Sequence, residues 1–575
     1  GVVIEDINTD QELIEDDETE IGDNNLEETT TTLVKNIRKG KPGSNPSGLE
    51  VFDQRLYFSA DNGQSGAELW SSRGENSSTK LIKDIYKGPS GSNPSDISSM
   101  GETLYFAADD GKHGVELWES NGKASSTKLM ADIKPGPSSS SPSELIELDQ
   151  KLLFRADNGK SGPELWRLRK GHEKPELVKD IKTTGGSNPA DLTEFRRKIF
   201  FSAEGDTYGR ELWSSDGSAS GTSLAVDISP GGLSSDPQDL TVFKDHLFFT
   251  ADAYYGGRQV WKSDGTSGGT TKLSPLTSQQ IFSSVEELAA TSDQLFFTAD
   301  TTATTGQVSL NDALDTDENA EPPAENTTST RASLGRELWT SRGSIDSMKL
   351  VLDINEGAGS SNPTGLTAIN GKMYFSADDG VHGEELWVSD GTDVGTFRLT
   401  DINPDGKNSS PRDIIAMDGS IYFSAIKNKF GRELWRLGES DDSAALSRVV
   451  HSRKGSRNMR AVRDAKNEFV FNQPNEFGKA KADQIINFRP NDGDQIHLDR
   501  DIFEGSGKHI DLVTVSSNHQ LKTQQSQASK FIYFEPQGKL YFDRNGDQPG
   551  YGKNAGLFAV LKGGPDLTES NFKIV

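Results

Sequence analysis

The chain has 575 residues, 61 Lys and Arg against 88 Asp and Glu, and a formal net charge of −27. That acidity argues against a nucleic-acid binder, whose phosphate contacts need clustered Lys and Arg, and against docking on anionic lipid. No apolar run is long enough for a membrane-spanning helix, the absence of Cys excludes disulfides and thiolate chemistry, and 58 Gly with 23 Pro point to a turn-rich, soluble β protein.

Residues 1–31 carry twelve Asp or Glu and no Lys or Arg. Such a block buries too little apolar surface to offset its ordering entropy, and a disordered acidic tail is expected. From 32 to 451 the chain repeats itself. Eight tryptophans, Trp70, Trp118, Trp166, Trp213, Trp261, Trp339, Trp387 and Trp435, are spaced 48, 48, 47, 48, 78, 48 and 48 residues apart. Seven follow Glu-Leu, Trp261 follows Gln259-Val260, and each has a Gly four residues earlier. A Phe stands twelve residues before each Trp except in the sixth repeat, where the surplus places an insertion at about 301–333, polar and read as a flexible surface loop. A Pro precedes that Phe by twelve residues in seven of the eight copies, and an Asp-Ile pair lies nine or ten residues before the Pro in most.

Each unit then holds four short apolar strands, in the fourth repeat about 191–195, 197–203, 209–215 and 222–228, separated by Gly, Ser, Asp and Pro turns. The fold class predicted is all-β: an eight-bladed β-propeller of four-stranded repeats, with Trp and Phe as wedges between blades, and a smaller C-terminal β-rich domain. A β-helix or open solenoid is the alternative. An extra copy of the fourth strand, LVKNI at 33–37, precedes the first full repeat and could close the ring against the last blade, whose own copy, SRVVH at 447–451, is weak.

Residues 452–466, SRKGSRNMRAVRDAK, read as a basic linker, and 467–575 as a separate β domain with segments at Asn467–Phe471, Asp483–Phe488, Asp492–Leu498, Phe531–Phe534, Leu540–Asp543 and Ala555–Leu561.

Glu211-Leu-Trp213-Ser-Ser-Asp216-Gly217-Ser218 and Glu385-Leu-Trp387-Val-Ser-Asp390-Gly391-Thr392 resemble the ELWxxDGT repeat family, which is propeller-like and occurs in large bacterial surface or secreted proteins. The C-terminal segments, with Asp543-Arg-Asn545-Gly-Asp547 and the closing Asn571-Phe-Lys-Ile-Val575, resemble the terminal region of RTX-type, haemolysin-like calcium-binding proteins, although no run of GGxGxDxUx nonapeptides is present. That resemblance implies export to the cell surface or medium of a bacterium, and calcium.

Asp543, Asn545 and Asp547 alternate so that three oxygens could face one hard cation. The full EF-hand pattern is absent, and an Asx-rich turn is the other reading. Asp483, Asp492 and Asp494 are weaker candidates. The repeated Asp-Ile carboxylates either ring one propeller face or cap turns, and the Glu before Leu-Trp is read as an inter-blade hydrogen-bonding group. Eight scattered His, with no HExxH, GxSxG or Walker pattern, give no catalytic signal, and the prominent acids recur in nearly every repeat, as packing groups do and catalytic groups do not. The expectation is a non-enzymatic secreted or cell-surface protein, its propeller an adhesive platform for a surface protein or polysaccharide, with self-assembly possible and no nucleic acid. A multivalent lectin-like propeller is the alternative, and a propeller hydrolase or lyase centred on Tyr254, Tyr255 and Arg258 is a third.

Overall fold

The computed structural model describes residues 31–438 apart from 253–256, 274–281, 302–333, 394 and 405, and, with interruptions, 448–574. The acidic tail to residue 30 and almost all of the insertion lie outside the described residues.

Residues 31–437 form eight four-stranded antiparallel sheets arranged as the blades of a propeller. In blade 4 the strands are Ala190–Phe195, Lys198–Glu204, Arg210–Ser215 and Ser223–Val226, each paired to the next. The second strand is buried at five consecutive positions, Ile199 to Ala203, because a neighbouring blade covers each of its faces. This is why it reads as a continuous apolar run rather than an alternation.

The repeated Phe lies opposite the Trp of its blade on the adjacent strand, as Phe58 does to Trp70, Phe201 to Trp213 and, across the insertion, Phe297 to Trp339. All eight of these Phe have no exposed surface. Phe201, Ala203 and Trp213 of blade 4 pack on Leu153, Leu165, Val178 and Ile181 of blade 3, and the wedge recurs between blades 1 and 2. Glycine four residues before Trp has a steric cause. At Gly66 (φ +67°), a Cβ would sit 2.4 Å from the Gly91 amide nitrogen of the crossing inter-blade loop.

The ring closes through its first strand. Thr31–Lys35 pairs antiparallel with Gly431–Leu437, Leu33 opposite Trp435, and serves as the outer strand of blade 8. The segment Arg448–His451, expected as the last blade's own copy, instead pairs in parallel with Asn467–Phe471. There it opens a C-terminal unit of two sheets, between which the strands alternate from Arg448–His451 to Gln495–Leu498. Arg448–His451, Asn467–Phe471, Gln495–Leu498 and Phe572–Ile574 lie in one. Asn458–Arg460, within the expected linker, pairs in parallel with Asp483–Ile486 in the other, which also holds the hairpin Lys539–Phe542 and Gly556–Leu561. Phe469, Ile485, Ile496, Phe503, Phe531 and Phe558 form its core.

Candidate functional site at the channel mouth

Two sets of acids shape the edge of the propeller where the first strand of each blade begins. The first is the Glu of Glu-Leu-Trp. Glu68, Glu116, Glu164, Glu211, Glu337, Glu385 and Glu433 have no exposed surface. Glu211 shows their role: its Oε2 accepts from Ile228 N at 2.8 Å and Ser235 Oγ at 2.6 Å, its Oε1 from Ser235 N at 2.9 Å. The carboxylate thus satisfies the loop that runs on to the next blade, whose buried amides need acceptors. At the seam Glu433 holds Ile37 N, Arg38 N and Ser44 in the same way. Burial pushes all seven carboxyls up against the pull of these hydrogen bonds, Glu337 to about 7. The inter-blade role expected for this Glu holds. For Glu68, Glu116, Glu164, Glu211 and Glu337 the side-chain partner is a Ser about two dozen residues downstream.

The second set encircles the axis. The first strands of the eight blades touch one another in turn, from Ser47–Phe52 round to Arg412–Met417 and back, and so enclose a central channel. Two residues past the repeated Pro (Val285 in blade 6) stand Gly48, Asp96, Glu144, Asp191, Asp239, Glu287, Gly365 and Asp413, all with φ between 51° and 66°. Each sits in a bulge where the inner hairpin shifts register. Asp and Gly tolerate this left-handed backbone best.

The bulge turns each acid toward the next blade. Asp96 Oδ1 accepts from Glu144 N at 3.0 Å, Glu144 Oε2 from Leu192 N at 3.2 Å, Glu287 Oε2 from Gly365 N at 3.0 Å and Asp413 Oδ1 from Gly48 N at 3.0 Å. Asp191 and Asp239 accept likewise from Asp239 N and Glu287 N. Six carboxylates therefore form a stitched ring, with glycine at the remaining two places. Burial and then the charges of Glu144 and Asp239 push Asp191 up to about 6. Burial, with the charges of neighbouring acids, also raises Asp239 and Glu287. The arc from blade 3 to blade 6 is crowded with negative charge. Arg258, whose charge draws on Asp239, is itself engaged by Asp236, Oδ2 at 2.9 Å.

Of the other repeated acids, Asp300 pairs with Arg336 and Asp401 with Arg398, and others close turns. Asp61, Asp109, Asp157 and Asp378 each accept through Oδ1 from the amide two residues on, at 2.6 to 2.8 Å, and Asp353 accepts from Gly357 N at 3.1 Å. The pairs His113–Asp110 and His382–Asp379 belong to the same loops, each Asp also accepting the His backbone amide. Arg258 is a blade-5 framework residue, and Tyr254 and Tyr255 lie outside the described residues. The repeated tryptophans are 5 to 8% exposed in seven blades and half-buried at Trp261, so they are wedges and not a series of sugar-stacking platforms.

In the C-terminal unit the cation candidates are divided. Asp543 and Asp494 are buried, and Asp494 Oδ2 accepts from Arg489 N at 2.7 Å. The backbone of Asp483 lies in a strand. Asn545, Asp547 and Asp492 lie outside the described residues. Among the described residues no group of three or more His, Asp or Glu is placed to hold a metal ion. No helix is long and apolar enough to cross a membrane.

No protein-family model matches the chain, and no curated protein matches its sequence. The fold is similar to that of several solved structures. A puromycin-hydrolyzing peptidase of Mycobacterium tuberculosis is 12% identical over 62% of this chain and 54% of its own, TM-score 0.38. Sqt1 of Saccharomyces cerevisiae is 11% identical over 69% and 97%, TM-score 0.40. The β-propeller domain of the Trilobed protease of Pyrococcus furiosus, described as having an open velcro topology, is 11% identical over 61% and 98%, TM-score 0.34. The chain spans about half the length of the first of these peptidases, 54%.

This corrects the expectation of a non-enzymatic adhesive platform. Several of the similar structures are peptidases or hydrolases, Leishmania major oligopeptidase B among them. At these identities and TM-scores the likeness assigns no activity to this chain.

Proposed function

We propose that the propeller is a recognition domain whose channel mouth takes a ligand carrying several ammonium or guanidinium groups, such as a basic peptide or a polyamine. The carrying observation is the stitched ring of Asp96, Glu144, Asp191, Asp239, Glu287 and Asp413, crowded enough to push Asp191 up to about 6. Its carboxylates are spread one per blade, each fixed by an amide of the next. This suits several separate cationic contacts better than one chelated ion.

The test is calorimetric titration of the full chain with spermine and with a short oligoarginine peptide, beside Asp191→Asn/Asp239→Asn. Binding by the wild type that weakens roughly tenfold or more in the double variant, and falls steeply with salt, is expected. Equal binding by both would end the proposal. Incubating the same peptide with the chain shows whether the ligand is also cleaved, which would make the chain an enzyme in its own right.

The RTX-like reading of the C-terminal unit is supported by its first five strands, which alternate between two sheets with parallel pairing. The proposal attached to it is calcium-linked stability in an extracellular or cell-surface setting. Calcium added to the chelator-stripped chain should raise the melting temperature of this unit; an unchanged melt would remove calcium from the account.

A further inference from the structure

The opposite edge of the propeller, built from the tips of the inner hairpins and the loops after each Trp strand, carries a contrary charge over three adjacent blades. Lys151 and Arg167 of blade 3 reach the third-to-fourth-strand loop of blade 4: Lys151 Nζ donates to Asp216 O at 3.0 Å and Arg167 Nη1 to Gly217 O at 2.6 Å. Arg196 of blade 4 reaches blade 5, donating to Asp264 O at 2.8 Å and Asp245 O at 3.1 Å. Its guanidinium lies 4.9 Å over the Phe195 ring, and Lys244 Nζ lies 4.7 Å over Phe243. Arg197 is 84% exposed and 3.7 Å from Asp149, and Lys262 completes the strip above Phe248.

Arg167 also pairs with Glu176, Nη2 to Oε2 at 2.8 Å, and Arg197 with Asp149, whereas Lys151, Arg196, Lys244 and Lys262 are held by main-chain carbonyls and aromatic faces. Main-chain carbonyls and aromatic rings leave a cation its full charge. The carboxylates of Asp216 and Asp264 are taken up by their own turns, accepting from Ser218 and Thr266. The local potential shows on His246 between them, which burial and then Lys262 and Arg196 hold below the ordinary imidazole range. On a chain of net charge −27, fixed cations in a continuous arc form a distinct surface.

The geometry points to a linear anionic polysaccharide lying along this arc. A chain with a carboxylate or sulfate on successive sugars meets fixed cations one after another across three blades. Single-stranded nucleic acid fits less well. The Phe195 and Phe243 rings are buried and capped by the cations, so neither face is open to stack a base.

The test is retention of the full chain on immobilised heparin, with polygalacturonate as the carboxylated counterpart, at about 50 mM salt. Arg197→Glu/Lys244→Glu alters two exposed side chains whose loss leaves the core intact, and Lys134→Glu on the opposite edge is the control. The wild type and the control should bind and elute with salt, with the double variant weakened roughly tenfold or more. Retention by heparin alone or by polygalacturonate alone would fix the anion's chemistry. Unchanged retention of the double variant, no retention of the wild type by either polymer, or tighter binding to single-stranded DNA of similar length would overturn the proposal.

Discussion

At the scale of single residues, the buried Glu of each blade governs the propeller's stability. Replacing Glu211 by Ala strands the donors of Ile228, Ser229 and Ser235 in the interior. Each unsatisfied buried donor costs about 1–3 kcal/mol, so Glu211→Ala should lose about 3–5 kcal/mol in denaturant titration of the propeller transition. Glu211→Gln should lose roughly a third of that or less, because Gln259 already fills the equivalent place in blade 5, where its Nε2 donates to Phe282 O at 3.4 Å. Equal losses for Ala and Gln would show that the hydrogen bonds do not matter there.

The same residues set the pH response. Burial raises the folded-state pKa of the seven Glu, and of Asp191 and Asp239 in the ring, so the folded chain holds these protons more tightly than the unfolded chain. Their contribution to stability is complete below the ordinary carboxylate range and falls as pH climbs through the folded values, which reach about 7 at Glu337. Asp379 works the other way. Against the effect of burial, the hydrogen bond and charge of His382 draw it well below its ordinary range, and what it contributes is lost only in stronger acid. The propeller should therefore melt several degrees higher at about pH 5.5 than at about pH 8. A melting temperature that rises steadily over that interval would contradict the assignment.

At the scale of elements, closure rests on five residues, Thr31–Lys35. Their Val34 packs on Leu56, Phe58, Trp70 and Leu434, which joins blade 1 to blade 8. A chain truncated at Ile37 keeps thirty-one of the thirty-two propeller strands yet loses the outer strand of blade 8 and leaves the edge of Gly431–Leu437 unpaired. It should unfold at lower temperature and be cut by protease near blade 8 first; truncation to residue 30 should change neither. Equal melting of the two truncated chains would mean that the first strand is dispensable.

The elements also show what was legible in the residues. The Trp, Phe and Gly landmarks are set by steric contact between strands and loops. Their regular spacing therefore carries blade number, strand order and the wedge role of Trp213 and Phe201 in the residues themselves. The partner of the buried Glu was less legible, because Ser235 lies in the loop to the next blade and meets Glu211 only once two blades are stacked. The carboxylate ring is harder still. The column two past the repeated Pro reads Gly, Asp, Glu, Asp, Asp, Glu, Gly, Asp, but acids fill many columns of this repeat. Only the circular topology shows that this column faces its own copies, whereas Asp61 and Asp353 turn back on their own loops. The residues of Arg448–His451 suit either sheet, and only its parallel pairing with Asn467–Phe471 places it in the C-terminal unit.

At the scale of the whole molecule, the propeller has two unlike faces. The repeat places acids at the start of the first strand and the end of the second, on one edge of every blade, and this accumulates into the crowded mouth of the channel. Drift between repeats gathers Lys151, Arg167, Arg196, Arg197, Lys244 and Lys262 on the other edge of blades 3 to 5, while Arg55, Lys372 and Arg436 stand more sparsely at equivalent places in blades 1, 7 and 8. One face is thus a property of the ring, the other of an arc. Cation binding at the mouth and polyanion binding at the arc should accordingly be separable: Asp191→Asn/Asp239→Asn should leave heparin retention unchanged, and Arg197→Glu/Lys244→Glu should leave spermine binding unchanged. Loss of both activities in either variant would mean that the two faces are not independent.

The central claim, that the carboxylate ring is a cation-recognising mouth, is tested most directly by proton-linked calorimetry. The Asp191 carboxyl is pushed up to about 6, so at that pH a cation entering the ring must displace its proton. Titration of the full chain with spermine at about pH 6, in buffers of different ionisation enthalpy, should show release of roughly half a proton per ligand. The release should vanish at about pH 8 and in Asp191→Asn. Spermine binding with no proton release at either pH, or the same release in Asp191→Asn, would contradict the account.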